Sequence, residues 1–246
     1  MNHQHPILIG DRWVESAGTA TFHATNPATS EPLPDWYPVS VWQDCEQILD
    51  TAQQAFTELQ EIPAEQLAEF LTSYAALLNS DADAICQTAA LETGLAVSPR
   101  LKDVELLRTM SQLRQASAAL LDGSWRMATI DTQYHLRSMY RGLGPVVVFG
   151  PNNFPLAFNA IAGGDFAAAI AAGNPVIAKA HPLHPSTTRL MAELAAQAAS
   201  ATRLPPGTIQ LIYHLEREDG LRLVADRRVG AVGFTGSRHG GLALKS

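Results

Sequence analysis

The apolar positions of the chain follow two different periods, and the change falls near residue 142. Before it, apolar side chains recur at the spacing of a helix with one buried face. After it, short apolar runs bounded by Gly and Pro alternate with alanine-rich helical stretches. Strands that alternate with helices are typical of a parallel sheet with right-handed connections. The pattern therefore predicts an α/β fold, a Rossmann-like parallel sheet flanked by helices and preceded by a helical region.

Capping and breaking residues set the predicted element boundaries. Asp44 is the predicted N-cap of a helix that runs to Gln60, and Pro63 marks the start of a second helix. A third helix is predicted over 81–94, and Ser186 is the predicted cap of a helix over 187–201. In chain order, the other predictions are a hairpin over 7–14, a turn over 26–32, helices over 101–121, 164–172 and 220–225, and strands over 146–149, 176–179, 209–213 and 229–234.

The segment 125–140 differs from its surroundings because apolar and polar residues roughly alternate in it. This period predicts half-buried strand, and we interpret the segment as a two-stranded β arm between two more compact parts. The predicted organisation is an N-terminal hairpin with helices over 1–124, the arm over 125–141, and the Rossmann-like part over 142–246.

Leu106, Met110 and Leu113 form an apolar stripe on the helix predicted over 101–121. A helical interaction protein would use such a stripe to bind a partner and would have no affinity for a dinucleotide. The more common role of such a stripe is burial in the protein's own core, and we interpret it so.

Composition narrows the function classes. The 246 residues are 46% hydrophobic and 17% charged, with a net charge of −7, so the chain carries no basic footprint for nucleic acid. No long uncharged apolar run predicts a membrane helix, and the first residues do not resemble a secretory signal. With only two cysteines, Cys45 and Cys86, we expect reduced thiols and a cytoplasmic protein.

The segment that follows the strand 146–149 carries the most informative chemistry. A side-chain amide, Asn153, comes just after the strand, where ligands bind in open α/β sheets. A neutral amide there can donate a hydrogen bond to an oxygen that becomes negative during a reaction. The alternative is an ordinary Pro-Asn turn after a buried strand. The βαβ context around it favours the functional interpretation.

Further candidate ligand contacts lie at the ends of other strands. Lys179 ends its strand, and its ammonium is expected at the same sheet edge, either in solvent or on the ribose of a dinucleotide. The glycine-rich turn after Phe234 offers free amides for a phosphate, although it does not match the dinucleotide fingerprint. His181 and His184 suggest a metal, but no cysteine or carboxylate nearby completes a site, so a loop beside a nucleotide is favoured and no metal is expected.

Together these motifs resemble the NAD(P)-dependent aldehyde dehydrogenase superfamily over nearly the whole chain. The segments that carry the resemblance are 26–29, 92–94, 144–155, 173–179, 204–207 and 233–237. The segments 149–158 and 179–185 look most like the branch of α-ketoglutaric semialdehyde (2,5-dioxopentanoate) dehydrogenases and NADP-dependent fatty aldehyde dehydrogenases. The resemblance implies oxidation of an aldehyde, with 2,5-dioxopentanoate as a candidate, to a carboxylate.

The resemblance also implies residue roles. Asn153 matches the catalytic amide that polarises the aldehyde, and Lys179 matches the lysine that binds the adenosine ribose. Pro182 stands where many NAD-preferring members have an acidic residue, so NADP or NAD is acceptable, with His181 and Arg217 as candidate phosphate contacts. The arm matches the segment that pairs subunits, so a homo-oligomer is expected of the full-length protein. The implied cofactor-binding residues are Phe149, Gly150, Pro151, Asn152, Lys179, His181, Pro182, Gly236 and Ser237.

One departure from the family pattern is large. The family's cysteine nucleophile and general-base glutamate lie beyond the Phe234–Ser237 turn, and Cys45 and Cys86 match neither position. We therefore expect the front half of an aldehyde dehydrogenase, a truncated form of that fold that lacks the catalytic thiol domain and is inactive alone. The alternative is a non-catalytic NADP-binding remnant, which would bind the cofactor without turning over aldehyde.

Overall fold

A computed structural model describes residues 4–245. The strands are β1 (Ile7–Ile9), β2 (Arg12–Val14), β3 (Thr21–Phe22), β4 (Thr25–Asn26), β5 (Glu31–Pro32), β6 (Tyr37–Ser40), β7 (Thr129–Asp131), β8 (Leu136–Ser138), β9 (Val146–Phe149), β10 (Val176–Lys179), β11 (Ile209–Ile212), β12 (His214–Leu215) and β13 (Ala231–Phe234). The α-helices are α1 (Trp42–Leu59), α2 (Ala64–Ser80), α3 (Ala82–Thr93), α4 (Leu107–Asp122), α5 (Gly164–Ala171), α6 (Pro185–Ala201), α7 (Arg217–Ala225) and α8 (Arg238–Lys245).

A six-stranded sheet in the order β13-β9-β10-β11-β1-β2 forms the centre of the structure. The first four strands are parallel, which confirms the predicted βαβ part. The N-terminal hairpin also forms, but it joins this sheet, because β1 pairs antiparallel with β11. The sheet is therefore mixed and not purely parallel. By joining it, the hairpin buries the side chains of Ile7 and Leu8 completely.

Helices cover both faces of the sheet, as alternation along the strands requires. Val147 and Ile177 pack with Ile48 of α1 and Leu223 of α7. The neighbouring Val148 and other side chains of the opposite face belong to the larger core, which includes α2 to α6. The strands are thus buried on both sides, which explains their nearly continuous apolar sequences.

The chain reverses direction across the sheet after β11. It adds β9, β10 and β11 in spatial order and then passes through β12 and α7 to β13, which pairs with the other edge of β9. The gap between the ends of β9 and β13 is therefore a topological switch point, the usual place for a ligand in open α/β sheets.

Three predicted helix starts were wrong by a few residues, and one of them is that of α7, which begins at Arg217 and not at residue 220. Helix α1 begins at Trp42, and Asp44 lies in its first turn, where the carboxylate accepts hydrogen bonds from the Val41 N–H at 3.0 Å and the Ala17 N–H at 2.9 Å. Helix α6 begins at Pro185, because Ser186 donates its N–H to buried Glu92 instead of capping with its own hydroxyl.

The helix predicted over 101–121 consists of two parts. A π-helical segment, Val97–Leu106, leads directly into α4. Leu106, Met110 and Leu113 are buried in the main core, which confirms the core interpretation of this stripe.

The segment between α4 and β9 forms a two-stranded antiparallel ribbon of β7 and β8. Contrary to the half-buried prediction, both faces are exposed, because the ribbon extends away from the core. Ile130, Tyr134 and Leu136 each expose more than 60% of their surface. The other small sheets are β12-β6-β3 and β4-β5, and the latter closes the turn predicted over 26–32. No helix within residues 4–245 is long and apolar enough to cross a membrane.

Candidate functional site

A cavity of about 750 Å³ lies at the carboxyl ends of β9 and β13, at the switch point. Its lining residues are Gly150, Pro151, Asn152, Asn153, Phe154, Phe158, His181, Phe234, Thr235, Gly236 and Ser237. Seven of the predicted site residues are thus in one cavity. Phe149 and Lys179 lie beside it at the ends of adjacent strands, in register with each other, and Pro182 lies in the turn that follows. Arg217 is exposed at the start of α7, outside the lining.

Asn153 is exposed to the cavity, and its side-chain amide has no hydrogen-bond partner among residues 4–245. A second cavity, of about 360 Å³, shares Asn152 and Asn153 with the first, and its other lining residues are Thr25, Pro27, Glu92, Thr93, Leu95 and Leu183. The free amide of Asn153 therefore stands between two spaces and is available to a bound molecule.

The turn after β9 follows a path that its first residue makes possible. A Cβ on Gly150 would come within 2.5 Å of the Phe158 carbonyl oxygen, so only glycine fits this close approach. His184 Nε2 donates a hydrogen bond to the Pro151 carbonyl at 3.0 Å, and burial lowers the pKa of this histidine. The turn is consequently fixed in place before it reaches Asn153.

The ammonium of Lys179 lies partly buried at the end of β10 without a carboxylate or other acceptor to pair with among residues 4–245. Burial of its ammonium lowers the pKa from 10.5 to about 8. An unpaired, partly desolvated ammonium at a sheet edge fits an anionic or polyhydroxylic ligand.

His181 stacks on His184, with ring centroids 5.3 Å apart. Burial, with His184 and Lys179 as further causes, lowers the pKa of His181 to about 3. Its Nδ1 accepts a hydrogen bond from the Leu183 N–H at 3.2 Å, so the neutral ring carries its proton on Nε2. His181 can therefore donate a neutral hydrogen bond from Nε2, and its contact with a cofactor phosphate stays a prediction. Within the described part of the chain, no three metal-ligating side chains come together.

The turn after β13 begins a helix, as its sequence suggested. The Thr235 N–H donates to the Phe149 carbonyl at 3.0 Å, which joins the two strand ends. Ser237 Oγ accepts the Gly240 N–H at 3.1 Å, the contact of an N-cap side chain on α8. A Cβ on Gly236 would lie 2.7 Å from the ring of Phe234, so a side chain at this position would have to displace that ring.

Neither cysteine of the chain belongs to this site. Cys45 and Cys86 are free thiols with no exposed surface. Burial raises the pKa of Cys45 to about 12 and that of Cys86 to about 11. Both are therefore thiols and not thiolates near neutral pH, and neither has the character of a nucleophile.

Sequence reasoning missed several residues that build the site. Phe154 and Phe158 line the cavity, with their rings edge to face at 5.4 Å. The guanidinium of Arg100 lies 4.5 Å from the ring centre of Phe154, and that of Arg108 lies 4.9 Å from Phe158. No signal in the sequence pointed to either arginine, because both belong to a distant segment that reaches the turn only through folding.

Comparison with known proteins gives a consistent result. Residues 13–245 match the sequence profile of the aldehyde dehydrogenase family. An alpha-ketoglutaric semialdehyde dehydrogenase 2 of Azospirillum brasilense is 41% identical over 249 residues, which cover 97% of this chain and 46% of that protein. An alpha-ketoglutaric semialdehyde dehydrogenase of Acinetobacter baylyi is 35% identical, covering 93% and 44%. The chain thus spans about half the length of these relatives.

Solved structures show the same fold. An aldehyde dehydrogenase from Bacillus cereus, solved as its NAD+ complex, superposes with a TM-score of 0.87 at 22% identity. The match covers 99% of this chain and 48% of that one.

Proposed function

Because the chain belongs to the aldehyde dehydrogenase family, we propose that it supplies the NAD(P)-binding site and the oxyanion-stabilising amide of an enzyme that oxidises an aldehyde to a carboxylic acid. The observation that carries this proposal is the free amide of Asn153 in the cavity at the switch point. An N–H donor aimed at a developing oxyanion stabilises the transition state more than the ground state.

The residues around the cavity fit a dinucleotide. Lys179 offers an unpaired ammonium to the adenosine ribose or to a 2′-phosphate, and His181 offers a neutral N–H. The turn of Gly236 and Ser237 leads into the N-terminus of α8, where free backbone amides favour a phosphate. Gly150, Pro151 and Asn152 line the same cavity, with Phe149 beside it. Pro182 carries no charge that would repel a 2′-phosphate, so NADP is acceptable as well as NAD. When bound, the nicotinamide accepts the hydride that the aldehyde loses.

A carboxylate-bearing aldehyde is the proposed substrate, with 2,5-dioxopentanoate as the leading candidate. The names of the two relatives described above support this choice. Arg108 supports it independently, because its exposed guanidinium lies beside the cavity wall and has no carboxylate partner among residues 4–245. It is free to pair with the carboxylate of a substrate.

The remaining parts of the proposal concern the nucleophile, the assembly and the compartment. We infer that the family's thiol nucleophile is neither Cys45 nor Cys86, so the 246 residues alone are not expected to turn over aldehyde.

The exposed apolar side chains of the β7–β8 ribbon are proposed to pair with another copy in the complete protein. Two buried free thiols agree with a cytoplasmic, reducing environment.

The test uses the 246-residue chain and the complete product of the gene side by side. Each is titrated with NADP+ and NAD+, and each is assayed for NADPH formation with 2,5-dioxopentanoate and with uncharged pentanal. We expect both to bind cofactor and the complete product to oxidise 2,5-dioxopentanoate with the lower KM. Cofactor binding without oxidation by either would favour a non-catalytic NADP-binding protein, and absence of binding would overturn both alternatives.

A further inference from the structure

A buried carboxylate outside the cavity organises the turn that carries Asn153. Glu105, only 1% exposed, lies one residue before the end of the π-helical segment 97–106. Its Oε1 accepts the N–H groups of Leu156 at 2.8 Å and Ala157 at 3.0 Å. Both N–H groups belong to the turn just after Asn153. Their acceptor, Glu105, comes about fifty residues earlier in the chain.

The other oxygen of Glu105 pairs with Arg100, which extends the connection to Asn153 itself. Arg100 Nη1 contacts Glu105 Oε2, and Nη2 donates to the backbone carbonyl of Asn153 at 3.0 Å. The same guanidinium lies over the ring of Phe154. A planar guanidinium can make all three contacts at once, whereas an ammonium cannot.

The turn is held on both sides of the Asn153 side chain, by His184 before it and by the Arg100–Glu105 pair after it. His184 fixes the turn at the Pro151 carbonyl, before the amide. The Arg100–Glu105 pair fixes the carbonyl of Asn153 and the amides of Leu156 and Ala157. Burial of an ionic pair costs desolvation energy, so such a pair is weak evidence for stability alone. Because Arg100 bonds the carbonyl of Asn153 itself, a role in positioning that residue explains the pair better than a contribution to stability.

We propose that Arg100 and Glu105 are positioning residues that set the direction of the Asn153 side-chain amide for the reaction. This inference rests on the proposed function, because it gives the pair a role in stabilising the oxyanion. A preorganised donor costs no reorganisation when charge develops, and its benefit depends on its position. A displacement of the Asn153 carbonyl turns the side chain of the same residue away from the oxyanion.

Substitution of Arg100 should therefore lower kcat and leave binding nearly unchanged. For Arg100→Met, a misplaced donor predicts a fall in kcat of about 10- to 100-fold. The Kd for NADP+ and the KM for aldehyde should stay within about twofold, because the lost interaction matters mainly in the transition state. Arg100→Lys should recover part of the rate, since it keeps the charge but loses the fork. Glu105→Gln should also lower kcat, because an amide nitrogen would then face the guanidinium of Arg100.

The decisive experiment is a double-mutant cycle in the complete gene product, with Arg100→Met, Asn153→Ala and the combination. If Arg100 acts through the Asn153 side chain, its substitution should cost little further rate once that side chain is absent. Lys102→Gln is the matched control, because Lys102 lies on the same segment and loses an exposed ion pair to Asp83. It should leave kcat unchanged.

The outcomes separate the two proposals. A wild-type product that oxidises no aldehyde would overturn the proposed function. An active wild type with an Arg100→Met variant of unchanged kcat would overturn the inference alone. Equal losses from Arg100→Met with and without the Asn153 side chain would also overturn it, since a merely structural role is additive. If Arg100→Met does not fold, the same cycle is run with Arg100→Lys, and the same criteria apply.

Discussion

Raising the pH from about 7 to about 9 is expected to weaken NADP+ binding through Lys179. The ammonium of Lys179 loses part of its hydration by burial, which lowers its pKa to about 8, whereas an exposed lysine stays charged throughout this range. The charge that would meet a 2′-phosphate is therefore present at neutral pH and is lost as the pH rises through about 8.

The expected magnitude follows from the protonated fraction. With a pKa of about 8, roughly nine-tenths of Lys179 is charged at pH 7 and roughly one-tenth at pH 9. If only the charged form binds NADP+, the apparent Kd rises about tenfold, or about 1.4 kcal/mol. NAD+ lacks the 2′-phosphate, and its ribose hydroxyls can still bond a neutral amine. Its Kd should change by less.

Isothermal titration calorimetry on the 246-residue chain measures both parts of this prediction. At about pH 8, binding of NADP+ should take up as much as about half a proton, which appears as a dependence of the heat on the buffer. Lys179→Met is the control and should bind NADP+ more weakly and with no pH dependence between these values. A Kd for NADP+ that stays constant from pH 7 to 9, or an equal rise in the Lys179→Met variant, would refute the reasoning.

Three further predictions use different readouts. Asn153→Ala in the complete gene product should lower kcat by about 100-fold or more, with little change in the Kd for cofactor, and stopped-flow and binding measurements check this. Arg108→Met should raise the KM for 2,5-dioxopentanoate by about tenfold but not that for pentanal; an equal rise for both would show that Arg108 does not pair with the carboxylate. Asn174→Ala should destabilise the fold by about 3 kcal/mol in urea denaturation, because buried Asn174 Oδ1 accepts the N–H groups of Leu143 at 2.6 Å and Gly144 at 3.1 Å. Asn174→Asp keeps this acceptor and should recover part of the loss.

The sequence allowed the parallel part of the fold to be predicted because its signals are local. Strands of branched residues ending at Phe149 and Lys179 alternate with helices, and this order fixes which strand ends lie at the same edge. The positions of Asn153 and Lys179 near one cavity follow from that order alone. The position of the N-terminal hairpin does not, since the partner of β1 is a strand about two hundred residues away.

Local signals also failed where several acceptors competed for one helix terminus. Asp44 and Ser186 both have side chains suited to an N-cap, but the first bonds from inside its helix and the second donates to Glu92. The Arg100–Glu105 pair was beyond prediction for a related reason. Arg100 reaches a carbonyl 53 residues away, and no spacing rule connects the two. From the sequence alone, charged residues of this kind are predicted to be exposed to solvent, because their partners come close only when the chain folds.

The sheet register implies an order of events during synthesis. Ile7 and Leu8 emerge from the ribosome about two hundred residues before Leu211, which lies in the strand that pairs with theirs. At translation rates of about 5–20 residues per second, about 200 further residues take on the order of 10 to 40 seconds. During that interval the hairpin has an unpaired edge and two unburied apolar side chains, the kind of surface that chaperones bind. Completion of the central sheet is therefore expected to be a late and slow step, since non-local pairing is slow to form.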